Sequence, residues 1–243
     1  SEPTVNRFCR SLETRGFPDF KLHLAQSLAH GTLYVNRNVD EDDSVESYTG
    51  KIFESAMASL DQVHHSLDMS AVNRAVDLLT QAKKIAFFGL GSSAAVAHDA
   101  MNKFFRFNVP VIYSDDIVLQ RMSCMNCDDD DVVVIISHTG RTKSLVELAQ
   151  LARENDAMVI ALTSAGTPLA REATLAITLD VPEDTDIYMP MVSRLAQLTV
   201  IDVLATGFTL RRGAKFRDNL KRVKEALKES RFDKEPFVPS DNQ

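Results

Sequence analysis

The sequence predicts a parallel, doubly wound α/β fold of five strands, preceded by a smaller helical segment. Three observations carry this reading. Five short apolar runs have the length and β-branched content of buried strands: KIAFFG (84–89), PVIY (110–113), DVVVIIS (131–137), MVIALT (158–163) and LAITL (175–179). Helical stretches at 93–105, 116–125 and 144–155 separate the first four, and strands that alternate with helices form parallel sheets covered on both faces. Two of the strands run into glycine- and hydroxyl-rich turns before a helix, as ligand-binding loops do at the carboxyl edge of such a sheet.

In chain order, 1–28 reads as short helices with a break. Val5, Phe8, Cys9 and Leu12 recur at helical spacing, and Gly16 and Pro18 interrupt the pattern. The polar stretch 30–44, with Asp40, Glu41, Asp42 and Asp43, reads as a linker. Helices follow at 47–66 and 70–81. The connection 163–175 has room only for a brief helix at 168–173. Two helices end the pattern. One, 193–210, is largely apolar; the other, 214–231, is amphipathic and basic. The tail from Glu235 is expected to be mobile.

Composition bounds the function. The 243 residues carry a net charge of -7, which excludes a chain that is basic throughout; DNA binding would need a local basic head. Three cysteines do not make a disulfide framework and fit a reduced cytoplasm. No run reaches the ~18 apolar residues of a membrane span, and no secretory leader is evident. The chain begins at Ser1 without Met, which reads as a start partway through a longer protein.

The chemistry sits in two loops. In FFGLGSSAAVAHDA (87–100) a strand ends at Gly89 and a helix begins near Ser92 or Ser93. Glycine lets a ligand approach the backbone, and the free amides of a helix start attract anions. Gly89, Gly91 and Ala94 also fit a dinucleotide fingerprint, with Asp115 and Asp116 after the second strand. The second loop decides between the two. In DVVVIISHTGRTKSLVELA (131–149) the third strand enters Ser137-His138-Thr139-Gly140-Arg141-Thr142, rich in hydroxyls and followed by another helix. In strand order 2-1-3-4-5 these two loops are neighbours at the switch point. Two hydroxyl-rich loops suit a phosphate and sugar hydroxyls, whereas a dinucleotide needs only the first.

Other features read blandly. Cys124 and Cys127 form a lone CxxC without two further zinc ligands. Asp128 to Asp131 read as a solvated turn, and His64 and His65, adjacent on a helix, as surface. No metal and no cofactor is expected.

FFGLGSS, IISHTGRTKSL, VIALTSAGTPLA and SRLAQLTVIDVLA, within 70–210, resemble the sugar isomerase (SIS) domain, with a flavodoxin-like strand order. The resemblance implies that Ser137, Thr139 and Thr142 hold a phosphate and that Ser92 and Ser93 complete the site. Gly91, His138 and Gly140 belong to the same loops. Ser193-Arg194 with Asp202 resembles the regulator branch of that family. SEPTVNRFCRSL followed by RGFPDFKLHLAQSLA resembles the last part of an RpiR-type helix-turn-helix, truncated at its start. By that resemblance Thr4, Asn6, Arg7 and Arg10 face DNA, and Arg and Asn can read base edges.

The domains expected are a helix-turn-helix remnant at 1–30, a linker and connecting helix at 31–69, an SIS phosphosugar-binding domain at 70–231 and a tail at 232–243. The function implied is a cytoplasmic, homodimeric repressor of hexose catabolism. Its effector would be a phosphorylated sugar or keto acid, 2-keto-3-deoxy-6-phosphogluconate, with Arg141 and Lys143 near its carboxylate. The alternatives are a phosphosugar isomerase or lyase, with His98, His138, Glu183 or Asp184 as general base, and a dinucleotide enzyme.

Overall fold

The computed structural model describes residues 39–183 and 189–228, together with Val5, Cys9 and Phe17; the side chains of Lys215, Arg217 and Asn219 lie outside it. Its elements are α1 (Val45–Ser66), α2 (Met69–Gln81), β1 (Lys84–Gly89), α3 (Ser92–Phe104), a 3-10 turn (Phe105–Phe107), β2 (Val111–Ser114), α4 (Ile117–Met125), β3 (Asp131–Ile136), α5 (Lys143–Glu154), β4 (Met158–Thr163), α6 (Pro168–Glu172), β5 (Leu175–Thr178) and α7 (Val192–Lys228).

The five strands form one parallel sheet in the order β2-β1-β3-β4-β5. The chain moves from β1 outward to β2, then back past β1 to β3. The crossovers α3 and α5 therefore leave neighbouring strands in opposite directions, and a crevice opens between β1 and β3. Element boundaries follow local chemistry. Pro110 has no N–H to give the ladder, so β2 starts at Val111, although the Pro110 carbonyl still accepts from Ile85 N at 3.0 Å.

The expected pair of closing helices runs together as α7, which departs from helical geometry at Gly213 (φ 76°, ψ -163°). Only glycine adopts that conformation cheaply, so the break falls between the apolar and the basic halves.

Side chains of each strand alternate between two apolar layers. Ala86, Phe88, Val133, Ile135, Val159 and Ala161 pack with Leu145, Leu148, Ala149 and Ala152 of α5, Cys124 of α4 and Leu169 of α6. Phe87 points the other way and meets Phe104 of α3 at 5.1 Å; Phe104 in turn meets Phe208 of α7 at 5.5 Å.

The chain divides into two compact units: Ser1–Ser66 with Leu179–Ala196, and Leu67–Thr178 with Gln197–Gln243. The second contains the whole sheet. In the first, Lys51 pairs with Asp40 (2.9 Å) and Asp43 (2.7 Å), so the acidic run is tied to α1. The hydrogen bond from Lys51 holds the Asp43 carboxyl down at about 2. Among the described residues, no helix is long and apolar enough to cross a membrane.

Candidate functional site

The first loop turns on two glycines. A Cβ on Gly89 would lie 2.7 Å from the Ser93 carbonyl oxygen, so only glycine lets α3 start directly over the end of β1. Gly91, at φ 58° and ψ -128°, precedes α3 and makes no side-chain cap. Ser93 N donates to Leu90 O (3.2 Å) and Ala94 N to Gly91 O (3.1 Å), closing a tight turn. Ser93 is buried, Ser92 half-buried and Gly91 exposed.

The second loop is held from both sides. The Ser137 hydroxyl accepts from Gly140 N at 3.2 Å, and Ser137 N donates to Leu162 O of β4 at 3.1 Å. The His138 carbonyl accepts from Ser164 N (3.0 Å) and from Ser164 Oγ (2.8 Å), while Gly140 O accepts from Leu169 N (3.1 Å). Gly140 has φ +56°, and a Cβ there would collide with the hydroxyls of Thr163 and Thr167. The segment after β4, Ser164 and Thr167 above all, is thus the brace of the loop. Sequence reasoning assigned it no role, although TSAGT repeats the hydroxyl-glycine pattern of SHTGRT.

The two loops lie side by side. Gly89 and Ile136 are register partners in β1 and β3, so Leu90 and Ser137 leave adjacent strands at the same level. Parallel strands stand about 4.8 Å apart, a spacing one phosphate or sugar ring can bridge. The helix starts show what the crevice can do. Asp68 caps α2, Asp116 caps α4 and Thr167 caps α6 through side-chain oxygens. Gly91 before α3 and Thr142 before α5 make no such bond. The two helices that begin at the crevice therefore present amides that no side-chain cap satisfies, and these favour an anion. Thr139 and His138 are half-buried, whereas Arg141, Thr142 and Lys143 are exposed. Of the hydroxyls, Ser137 and Thr139 accept loop amides (Arg141 N to Thr139 Oγ1, 3.4 Å), and a hydroxyl that accepts can also donate.

Two of the residues considered for acid–base chemistry are engaged in other contacts. His98 is exposed and stacks on Tyr113 at 4.9 Å. Glu183 accepts from Met191 N (2.7 Å), Val192 N (2.8 Å), Ser193 N (3.2 Å) and Ser193 Oγ, so it caps α7. Burial works to raise its pKa, but the bonds from Ser193 and the backbone amides outweigh it and hold the carboxyl below its usual range. Asp184 lies outside the described residues, as do Thr4, Asn6, Arg7 and Arg10.

Burial pushes the Cys124 thiol up to about 12 and that of Cys127 upward, so neither is a ready thiolate. In the acidic turn, Asp131 is buried and pairs with Lys84 at 2.5 Å, which corrects its reading as solvated. Asp130 pairs with Lys83. His64 and His65 are exposed, and with Asp61 they bring three possible ligand atoms within 4.8 Å of one another.

Residues 78–207 match the SIS domain, and residues 1–31 match the helix-turn-helix domain of the rpiR family. The chain is 91% identical over 243 residues to the HTH-type transcriptional regulator HexR of Escherichia coli K12, covering all of this chain and 84% of that protein. It is 57% identical to HexR of Pseudomonas aeruginosa over 96% of this chain and 81% of that one. Among solved structures, the Vibrio vulnificus NanR protein complexed with ManNAc-6P aligns with TM-score 0.70 and 25% identity, over 95% of this chain and 82% of that one. The close relatives are named as regulators and not as enzymes. The chain belongs to the RpiR family of transcriptional regulators, in which a helix-turn-helix segment is joined to an SIS domain.

Proposed function

We propose that the crevice between β1 and β3 binds the phosphate of a sugar-phosphate effector and that this binding controls operator DNA. The observation that carries the reading is the pair of adjacent loops whose following helices, α3 and α5, begin without a side-chain cap. Ser92, Ser93, Ser137, Thr139 and Thr142 supply hydroxyls, Gly91 and Gly140 open the backbone, and His138 lies in the same wall. The effector is 2-keto-3-deoxy-6-phosphogluconate, with Arg141 and Lys143 beside the carboxylate. The ManNAc-6P complex of the similar NanR protein supports a phosphorylated ligand in this fold. Thr4, Asn6, Arg7 and Arg10 contact DNA in a cytoplasmic homodimeric repressor of hexose catabolism. The effector acts by binding the DNA-competent and incompetent states with different affinity.

The test is calorimetric titration with 2-keto-3-deoxy-6-phosphogluconate, glucose 6-phosphate, fructose 6-phosphate and NAD, repeated with Ser93→Ala and Ser137→Ala. The keto acid binds, and each substitution weakens it about tenfold, the value of roughly one charge-assisted hydrogen bond. Binding to another sugar phosphate alone changes the pathway and keeps the site. Folded protein that binds none of them overturns the reading.

A further inference from the structure

Gln120, one turn into α4, is fully buried, and its Nε2 donates to two main-chain carbonyls: Ser114 O at 2.7 Å and Gly89 O at 3.2 Å. These are the last residues of β2 and β1. β2 pairs with β1 only as far as Ser114, opposite Phe88, and then departs. Gly89 is therefore left without a partner on that side, and the Gln120 amide supplies the missing rung. Its orientation is fixed, because the reversed amide would set an oxygen against two carbonyls. The Oε1 is buried, with no hydrogen-bond partner among the described residues. What this side chain contributes is the pair of bonds its amide donates.

What those donors hold is the exit of β1. Gly89 is confined on its other side by the Ser93 carbonyl, 2.7 Å from where a Cβ would be. The base of the helix that carries Gln120 is itself fixed: Asp116 Oδ1 accepts from Val118 N (2.8 Å) and Leu119 N (2.9 Å), and Ser114 Oγ accepts from Asp116 N (3.1 Å). We infer that Gln120 is a positioning residue for the first loop, setting the Gly89 carbonyl and through it the Leu90-Gly91 turn that aims Ser92 and Ser93 at the ligand. This inference rests on the proposed phosphosugar site. The second loop, braced by Ser164 and Thr167, does not depend on Gln120.

The test combines a ligand-independent readout with a double-mutant cycle on the full chain. Gln120→Met keeps the volume and removes the donors; Gln120→Asn keeps the amide but draws it back by one methylene. Amide hydrogen exchange of the unliganded protein is read first. Both variants raise exchange at Gly91 to Ala94 about tenfold or more and leave Thr139 to Ser144 unchanged. With 2-keto-3-deoxy-6-phosphogluconate as probe, Kd rises about tenfold. The losses from Gln120→Met and Ser93→Ala do not add, while those from Gln120→Met and Thr142→Ala do. If Gln120→Met does not fold, Gln120→Asn carries the same comparison.

Unchanged exchange in the first loop overturns the inference. So does a lowered melting temperature with Kd unaltered, or equal coupling to Ser93 and Thr142. If the probe does not bind the parent chain, the proposed function fails, and the exchange data still decide the role of Gln120.

Discussion

Gly140 shows how closely the second loop is fitted. Its φ of +56° is a left-handed conformation, and the space beside it belongs to the hydroxyls of Thr163 and Thr167. A methyl group meets both obstacles at once. Gly140→Ala is expected to lower stability by about 1–3 kcal/mol, from backbone strain and overpacking, and to weaken effector binding. Thermal unfolding and calorimetry of the same variant check the two effects. A variant with parent-like stability and affinity would show that the loop relaxes freely.

At the scale of elements, α2 and α7 approach through Gly207, where a Cβ would lie 2.6 Å from Val76 Cγ2. Glycine inside a helix is unfavourable by roughly 1 kcal/mol relative to alanine, so its presence marks a close crossing. Gly207→Ala gains that propensity but overpacks the crossing by about 1–3 kcal/mol. The net expectation is a loss on the order of 1 kcal/mol. Adding Val76→Ala makes room for the new methyl, so the double variant loses less than the two single changes together, as denaturant titration would read.

The start of α7 depends on Glu183, whose depressed pKa links the cap to pH. A carboxylate with a lowered folded pKa stabilises fully above its unfolded value, about 4.3, and this contribution is lost as pH falls through the lower folded value. Glu183→Gln is therefore expected to cost about 1 kcal/mol at pH 7, and less near pH 3, where the parent cap is also weakened. Because Glu183 is only half-buried, solvent screening keeps the figure modest. Melting curves at the two pH values test it. A difference between variant and parent that stays constant across that range would rule out a charged cap.

At the scale of the molecule, stability is not evenly distributed. β1, β3 and β4 sit at the middle of the sheet, and the side chains of Phe87, Phe88, Ile135, Ile136 and Ile160 have no exposed surface. On α1, by contrast, only Ser59 and Val63 are buried. Native-state hydrogen exchange is expected to show the three strands opening only with global unfolding, and α1 exchanging faster by on the order of a hundredfold or more. Equal protection in α1 and the central strands would contradict this distribution.

The sequence by itself determined the class of fold, the five strands to within a residue or so at their ends, and the two loops. These are local properties: apolar runs of strand length, glycine where a chain must turn sharply, and hydroxyls beside helix starts. Motif likeness to a family also lay in the sequence, and it named the hydroxyls. Tertiary structure alone decided what braces those loops. Gln120 lies 31 positions from Gly89, and Ser164 lies 26 from His138. Neither residue differs in type from many surface residues, so no local pattern distinguishes them. The same holds for Glu183, which reads as a candidate general base in sequence and serves as a helix cap in the fold. Asp131 looked solvated among its acidic neighbours until the β1–β3 pairing set Lys84 beside it. Hydrogen bonds and burial are made between segments distant in the chain, and strand order brings those segments together.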